Sequence, residues 1–239
     1  MPSQLVCRPE QVLPVGVLRV SGVLDLATSG ALDHAVARCL SAQPEALLVD
    51  IDEMAVADPL GLAVLRSVVS RTAQWPNVPI VLCGATAAEA GAVAASPGVT
   101  ASASCAEALE QTAEEPEPRR IRARLRPVPD ACRQVRQLVG QACAAWQSTE
   151  LAGSAALIAT ELVANVVRHA HTTMEFTVGL RNGRLSLTVR DGSRALPVAA
   201  DPGLSQAGGR GLRLVRELSE AWGVLPIVDG KVVWAHLSS

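Results

Sequence analysis

The sequence predicts two α/β domains in tandem, and three observations carry that expectation. Upstream, apolar strand-like runs alternate with helix-period segments, the pattern of a small, mainly parallel sheet. Downstream, two helices precede paired segments of alternating hydrophobicity, the pattern of helices layered on a mixed sheet. Between them, Gln111-Thr-Ala-Glu-Glu-Pro-Glu-Pro-Arg-Arg120 interrupts both patterns with two prolines and a change of charge sign, as a linker does. The expected division is residues 1–114, a linker over 115–120, and residues 121–239.

In the first domain, Val17-Leu-Arg-Val-Ser-Gly-Val-Leu reads as a strand and Ser29 to about Ala42 as a helix. Ala46-Leu-Leu-Val-Asp-Ile and Val78-Pro-Ile-Val-Leu-Cys are continuous apolar runs suited to strands buried on both faces. Between them a helix is expected from Leu60 to about Gln74, with Asp58 as its N-cap and Pro59 at its first position. Thr86-Ala-Ala-Glu89 and Ser104-Cys-Ala-Glu107 are capping boxes announcing two more helices.

In the second domain, Arg120 to Arg126 reads as an edge strand, Asp130 as the cap of a helix running to about Trp146, and Ala152 to Ala170 as a second helix. Met174, Phe176, Val178 and Leu180 alternate with polar or small residues; Leu185, Leu187 and Val189 do the same beyond an Asn182-Gly183 turn. That is a hairpin with one buried face. A short helix from about Gly211 to Glu220 and a last hairpin about Asp229-Gly230 complete the domain.

Composition narrows the function classes. With 49% hydrophobic residues in 239, the chain can bury two real cores. No apolar run reaches the ~20 residues of a spanning helix, and the first residues lack the layout of a signal peptide, so a cytoplasmic protein without membrane contact is expected. Six cysteines stand without a Cys-x-x-Cys pair, which indicates neither a zinc site nor a disulfide framework. There is no tyrosine, one phenylalanine, and one lysine, Lys231, against twenty arginines. Scarce aromatics and arginines spread over several elements argue against nucleic-acid binding. The net charge of -2 hides an asymmetry: residues 1–118 hold 5 Arg and 14 Asp+Glu, or -9, and the remainder 16 Lys+Arg and 9 Asp+Glu, or +7. Two readings stand, attraction between the halves or simple solubilisation.

The densest chemistry lies in Glu161-Leu-Val-Ala-Asn165-Val-Val-Arg-His169-Ala170. Four-residue spacing turns each side chain only about 40° from the last, so a carboxylate, an amide and an imidazole share one stripe beside the apolar stripe of Ile158, Leu162 and Val166. Such a rim can hold a metal ion and an anion. Strand parity puts Asp191 on the face of Leu185, Leu187 and Val189, where a carboxylate needs a donor: a purine's exocyclic amine, a water or a backbone amide. The segment after Gly192-Ser193 runs to Ala207 with little periodicity and suits a lid. Gly208-Gly209-Arg210-Gly211-Leu212 then opens a helix, presenting free N–H groups to an anion. A dinucleotide fingerprint fits poorly, because Leu214 stands at the third glycine position and no buried strand leads in.

These three segments, in this order, resemble the N, G1 and G2 boxes of the GHKL ATPases, most closely the small bacterial anti-sigma factor serine kinases, over about residues 119–239. The resemblance implies a Bergerat α/β sandwich binding ATP and Mg²⁺. Asn165 would ligate Mg²⁺ through its amide oxygen. Glu161 would be the general base of a protein serine/threonine kinase. Asp191, followed by Gly192, would accept from the adenine amine, while Gly209, Gly211 and Leu212 would admit the phosphates, with Arg210 as a neutralising charge. His169 has two roles open to it, packing at the helix end or ligand contact. One departure is marked: the Asp-x-Gly-x-Gly of the G1 box is here Asp191-Gly192-Ser193-Arg194-Ala195, which removes glycines expected beneath a nucleotide.

The first domain resembles a STAS domain, the fold of anti-sigma factor antagonists, through Gly22-Val-Leu-Asp-Leu-Ala-Thr28 and Asp58-Pro-Leu-Gly-Leu62. Phosphorylatable members read Asp-Ser-Ser-Gly-Leu in the second motif, and here the acceptor position is Leu60 with Pro59 before it. Ser67 and Ser70 lie further along that helix as packing or surface residues. The two resemblances together imply a cytosolic partner-switching regulator. Its partner would be a sigma factor or a STAS-domain antagonist, with intramolecular docking of the halves and a homodimer as further implied contacts. The alternative is a non-catalytic protein-interaction module with a degenerate nucleotide site.

Overall fold

Each half of the chain is built on its own five-stranded sheet. In this computed structural model the halves form two units, Met1–Glu117 and Pro118–Ser239. The structure describes residues 4–11, 13–56, 59–73, 78–96, 98–114, 119–196 and 210–238.

The first unit runs β1 (Leu5–Gln11), β2 (Gly16–Leu24), α1 (Ser29–Ser41), β3 (Leu47–Val56), α2 (Pro59–Ala73), β4 (Ile80–Cys83), α3 (Ala87–Val93), β5 (Val99–Ser102) and α4 (Cys105–Glu114). The sheet order is β1-β2-β3-β4-β5; β2 to β5 pair in parallel and β1 lies antiparallel on the edge. Continuous apolar runs become the central strands, as doubly covered strands require: Leu47, Leu48, Val49 and Ile51, then Ile80, Val81, Leu82 and Cys83, are all buried. The Thr86–Glu89 capping box forms in both directions, with the Thr86 N–H donating to Glu89 Oε2 at 2.7 Å and the Glu89 N–H to Thr86 Oγ1 at 3.3 Å. The second box is half formed. The Glu107 N–H reaches Ser104 Oγ at 3.2 Å, but the Glu107 carboxylate accepts from Ser102 and Ala103. Asp58, expected as the N-cap of α2, lies outside the described residues.

The second unit runs β6 (Arg119–Leu125), α5 (Asp130–Ala145), a single 3-10 turn, α6 (Ala152–Asn165), a π-helical turn at Val166–Ala170, β7 (Met174–Arg181), β8 (Arg184–Asp191), α7 (Arg210–Leu218), β9 (Ala221–Ile227) and β10 (Gly230–Leu237). Its strands follow the order β6-β7-β8-β10-β9 and every pair is antiparallel. Asn182 and Gly183, at φ 51° and 76°, make the tight turn between β7 and β8. Phe176, Val178, Leu185, Leu187 and Val189 pack with Val135, Val139, Ile158, Leu162 and Val163 of α5 and α6 in one core.

Three expectations need correction here. Asp130 is the first residue of α5 and not its cap; Pro129 precedes the helix, and the Asp130 carboxylate accepts from Arg133 and Gln134 one turn on. The helical stretch Thr149–Ala170, of 22 residues, is long and apolar enough to cross a membrane by length and composition, although no such run was expected. Its Ala155, Ile158, Ala159, Leu162 and Val163 lie in the core of the unit, which accounts for that apolarity. Finally, the hairpin is buried on both faces, because Thr177, Ser186 and Thr188, which alternate with the core residues, are also under 10% exposed.

On β10, Trp234 and His236 share that second face, with ring centroids 4.9 Å apart. Burial, reinforced by the Arg184 charge and opposed by Glu220, pushes the His236 imidazole down to about 4, so it is neutral in the fold at neutral pH. The unfolded chain, with an ordinary histidine near 6.5, takes up the proton first. Stability is therefore lost as pH falls from that value toward the folded one, by roughly 3 kcal/mol at the lower end. Urea midpoints measured between pH 7 and pH 4.5 should fall less steeply in His236→Gln than in the parent.

Candidate functional site

The site is built from one helix, the end of one strand, and the start of another helix. On α6, Glu161 and Asn165 are half-buried, one turn apart, beside the buried Ile158, Leu162 and Val166. The expected stripe ends there. Directly after Asn165 the backbone switches to π-type bonding, the His171 N–H donating to Val166 O at 2.9 Å, and His171 closes the turn at φ 54°. The four-residue rule that placed His169 in line with Asn165 no longer holds through this turn, and His169 is exposed. Arg168 is the neighbour that turns toward Glu161, with its guanidinium 3.8 Å from Oε2.

Glu161 also meets the start of α7. A Cβ on Gly211 would run into the Glu161 carboxylate, so a larger residue there would push that side chain away from its present place. Gly211 and Leu212 are buried, and Val215, one turn on, reaches the core. Arg210 opens α7; its side chain, together with Gly208, Gly209 and residues 197–207 of the expected lid, lies outside the described residues.

Asp191 ends β8 on the helix-facing side, as parity requires, and is 3% exposed. Its partner is a residue that sequence reasoning set aside. The antiparallel register places Lys231 of β10 directly opposite Asp191, and its ammonium donates to Asp191 Oδ1 at 2.9 Å and to the Ser193 carbonyl at 3.1 Å. The Ser193 N–H donates to the same Oδ1 at 2.7 Å, while the buried Oδ2 has no partner among the described residues. Gly230 permits the close crossing, because a Cβ there would overlap the Asp191 carbonyl. The sequence marks this residue only as the one lysine of the chain; the register of β10 on β8 supplies its partner.

The loop beyond Asp191 is tied down residue by residue. The Gly192 N–H donates to Thr172 Oγ1 at 3.0 Å, Ser193 is held by Asp191 and Lys231, and the Arg194 guanidinium donates to the Val228 carbonyl. Glycines at these positions would leave backbone open to a ligand, whereas here side chains of the protein fill that role. The Lys231 ammonium takes Oδ1 of Asp191, so an adenine amine would meet this carboxylate only at the buried Oδ2 unless it displaced the lysine. Among the described residues no group of three or more His, Cys, Asp or Glu side chains gathers to hold a metal ion. The amide oxygen of Asn165 is a suitable ligand for Mg²⁺ only if phosphates and waters supply the remaining oxygens.

Residues 121–235 match the family model of the histidine kinase-like ATPase domain. No curated protein matches the chain in sequence. Among solved structures the chain is similar to an anti-sigma factor antagonist from Mycobacterium paratuberculosis, at 21% identity over 48% of this chain and 98% of that one, with a TM-score of 0.39. It is also similar to the anti-sigma factor antagonist SpoIIAA in its unphosphorylated form, at 14% identity over 46% and 100% of the two chains, with a TM-score of 0.35. A third similarity is to the histidine kinase domain of a blue-light activated histidine kinase from Erythrobacter litoralis EL346, at 21% identity over 44% and 60%, with a TM-score of 0.32. The architecture is thus an α/β unit followed by a Bergerat-like unit of helices on a sheet.

The buried pair sets a stability test. Lys231→Met leaves the Asp191 carboxylate buried without its ammonium and should lower the unfolding free energy by about 3–5 kcal/mol. The double variant Lys231→Met with Asp191→Asn removes both charges and should recover most of that loss in urea titrations.

Proposed function

We propose that this chain is a cytosolic partner-switching regulator whose second unit works as a protein-contact module with a degenerate nucleotide site, joined to a STAS-like unit that cannot be phosphorylated at the usual position. The observation that carries this reading is the Lys231–Asp191 pair: the carboxylate that a GHKL site uses to receive adenine is engaged from within. The pinned Gly192-Ser193-Arg194 loop supports it further, since the backbone N–H groups of Gly192 and Ser193 are taken by Thr172 and Asp191 and the Arg194 guanidinium is anchored on the Val228 carbonyl. In the first unit, Leu60 is 64% exposed in the first turn of α2. A hydroxyl there would be within a kinase's reach, and leucine provides none. The partner proposed is a sigma factor or another STAS-domain protein, as the resemblances of both units suggest.

A second reading, a serine kinase acting on a separate antagonist, is favoured by the retention of Glu161 and Asn165 one turn apart, with Glu161 against the start of α7. On that reading, Glu161 takes the proton of the attacking hydroxyl. Phosphate transfer from labelled ATP to an antagonist serine, abolished by Asn165→Ala, would establish it.

The two readings separate in one measurement. A ligand at a hundred times its dissociation constant adds about 2.7 kcal/mol to stability. For a unit of this size that raises the melting temperature by several degrees. The contact-module reading expects no change in melting temperature with millimolar ATP or ADP and Mg²⁺; a rise of that size in the unaltered chain would overturn it.

A further inference from the structure

We propose that Cys83 and Cys105 of the first unit form a dithiol that a small external disulfide oxidises to an intramolecular disulfide, tying the start of α4 to the end of β4. All six cysteines are free thiols, and these two stand far apart in sequence. The sheet brings them together. Arg19, Asp50, Cys83 and Ser102 are successive partners across β2, β3, β4 and β5, so Cys83 shares a face with Asp50 and lies beside Ser102. Beyond Ser102 the chain turns back at once into α4, whose first residue is Cys105. That turn is held at several points. The Gly84 N–H donates to the Ser102 carbonyl at 3.1 Å, Ser102 Oγ and the Ala103 N–H donate to Glu107 Oε2 at 2.9 and 3.2 Å, and the Glu107 N–H donates to Ser104 Oγ at 3.2 Å.

Cys105 and Ala108, one turn apart on α4, therefore pack on the cluster of Ala46, Leu48, Val81 and Cys83. The two thiols meet there and are hydrogen-bonded to each other. Their surroundings differ. Cys83 is wholly buried, with its sulfur 3.8 Å from the Val81 carbonyl, whereas Cys105 is half-buried at the helix start. Burial raises both thiols above their ordinary value; the hydrogen bond between them adds to the rise at Cys83 and opposes it at Cys105. Asp50 and Glu10 push Cys105 up further, and Arg19, whose guanidinium lies 3.4 Å from Asp50, draws it down. Cys105 is thus the sulfur that an external reagent reaches and ionises first, and Cys83 is the second thiol waiting behind it.

The exchange balances without any other reactant. The Cys105 thiolate attacks one sulfur of the external disulfide, forming a mixed disulfide and releasing the first small thiol. Cys83 then gives up its proton and attacks the Cys105 sulfur, expelling the second. The pair loses two electrons and two protons, and the external disulfide takes them up as two thiols. The loop so closed contains α3 and β5, and α4 is the last element before the second unit begins at Pro118.

The test treats the folded full chain with excess glutathione disulfide, then unfolds it, blocks the remaining thiols with N-ethylmaleimide and maps the peptides. Of six thiols, the bridged two should escape and four take the label, with Cys83 linked to Cys105 and all six recovered after dithiothreitol. The bridge should raise the melting temperature of the first unit by roughly 5 °C. Cys83→Ala should stop at the glutathione adduct of Cys105, because no second thiol is there to resolve it. Cys105→Ser should leave Cys83 unreacted. If neither variant folds, the linked peptides of the unaltered chain decide the matter. Six labelled thiols after treatment, a link that joins other cysteines, a Cys105→Ser protein that loses as many thiols as the parent, or a bridge that fails to raise the melting temperature overturns the proposal.

Discussion

The second unit depends on one buried contact, the pairing of Lys231 with Asp191. Two charges withdrawn from water are each penalised by several kcal/mol, and only close geometry with added hydrogen bonds offsets this. The surroundings meet that demand from both sides. The register of β8 with β10 sets the two residues opposite each other, Gly230 lets the backbones cross closely, and Ser193 contributes a donor to the carboxylate and an acceptor to the ammonium. A slip of one residue in that register would turn Lys231 to the other face and leave Asp191 alone in the core. The pair therefore adds to the apolar side chains in specifying the alignment of β10 on β8, and it holds the start of the loop after Asp191 through the Ser193 carbonyl.

Much of this arrangement was legible before any coordinates. Alternation put Asp191 among Leu185, Leu187 and Val189, Asn182-Gly183 marked a turn, and two unbroken apolar runs became the central strands of the first sheet. What stayed hidden was non-local or contrary to local preference. Nothing near Lys231 announces a partner forty residues earlier, because β10 enters the sheet between β8 and β9 against chain order. β1 carries Arg8, Pro9 and Glu10, residues that suit an edge and so do not read as a strand. β5 has only four residues, too few for alternation to show. No rule of spacing within Val166–Ala170 reports the π turn after Asn165.

The same helix shows why hydrophobicity alone misleads about place. Thr149–Ala170 is apolar enough to be taken for a spanning segment, yet its apolar residues face the core shared with α5 and the hairpin. Glu161 and Asn165 sit where that apolar surface gives way to the edge of the layer. A functional group held there is positioned by packing on one side and open to a ligand or a protein partner on the other. Gly211 brings α7 against Glu161 at this edge, so the carboxylate is framed even if no nucleotide enters.

Competition for Asp191 Oδ1 is the physical core of the contact-module reading. An external amine taking Oδ1 would displace an ammonium already anchored on a neighbouring strand, and the displaced charge would be left in a place that is 6% exposed, with the Ser193 carbonyl as its remaining partner among the described residues. Leaving a buried charge without its partner costs about 3–5 kcal/mol, which is two to four orders of magnitude in affinity before the ligand gains anything from its other contacts. On the contact-module reading, this is the step that makes a frame with such a pair at its base a poor receiver of adenine, although Glu161 and Asn165 remain in place. The exposed side of that frame then has a simpler use, as a surface for another protein. On the function proposed above, Leu60, exposed on the first unit, offers no hydroxyl for a phosphate to be placed on. Under that proposal both features act in one direction, leaving association to be governed by affinity and concentration.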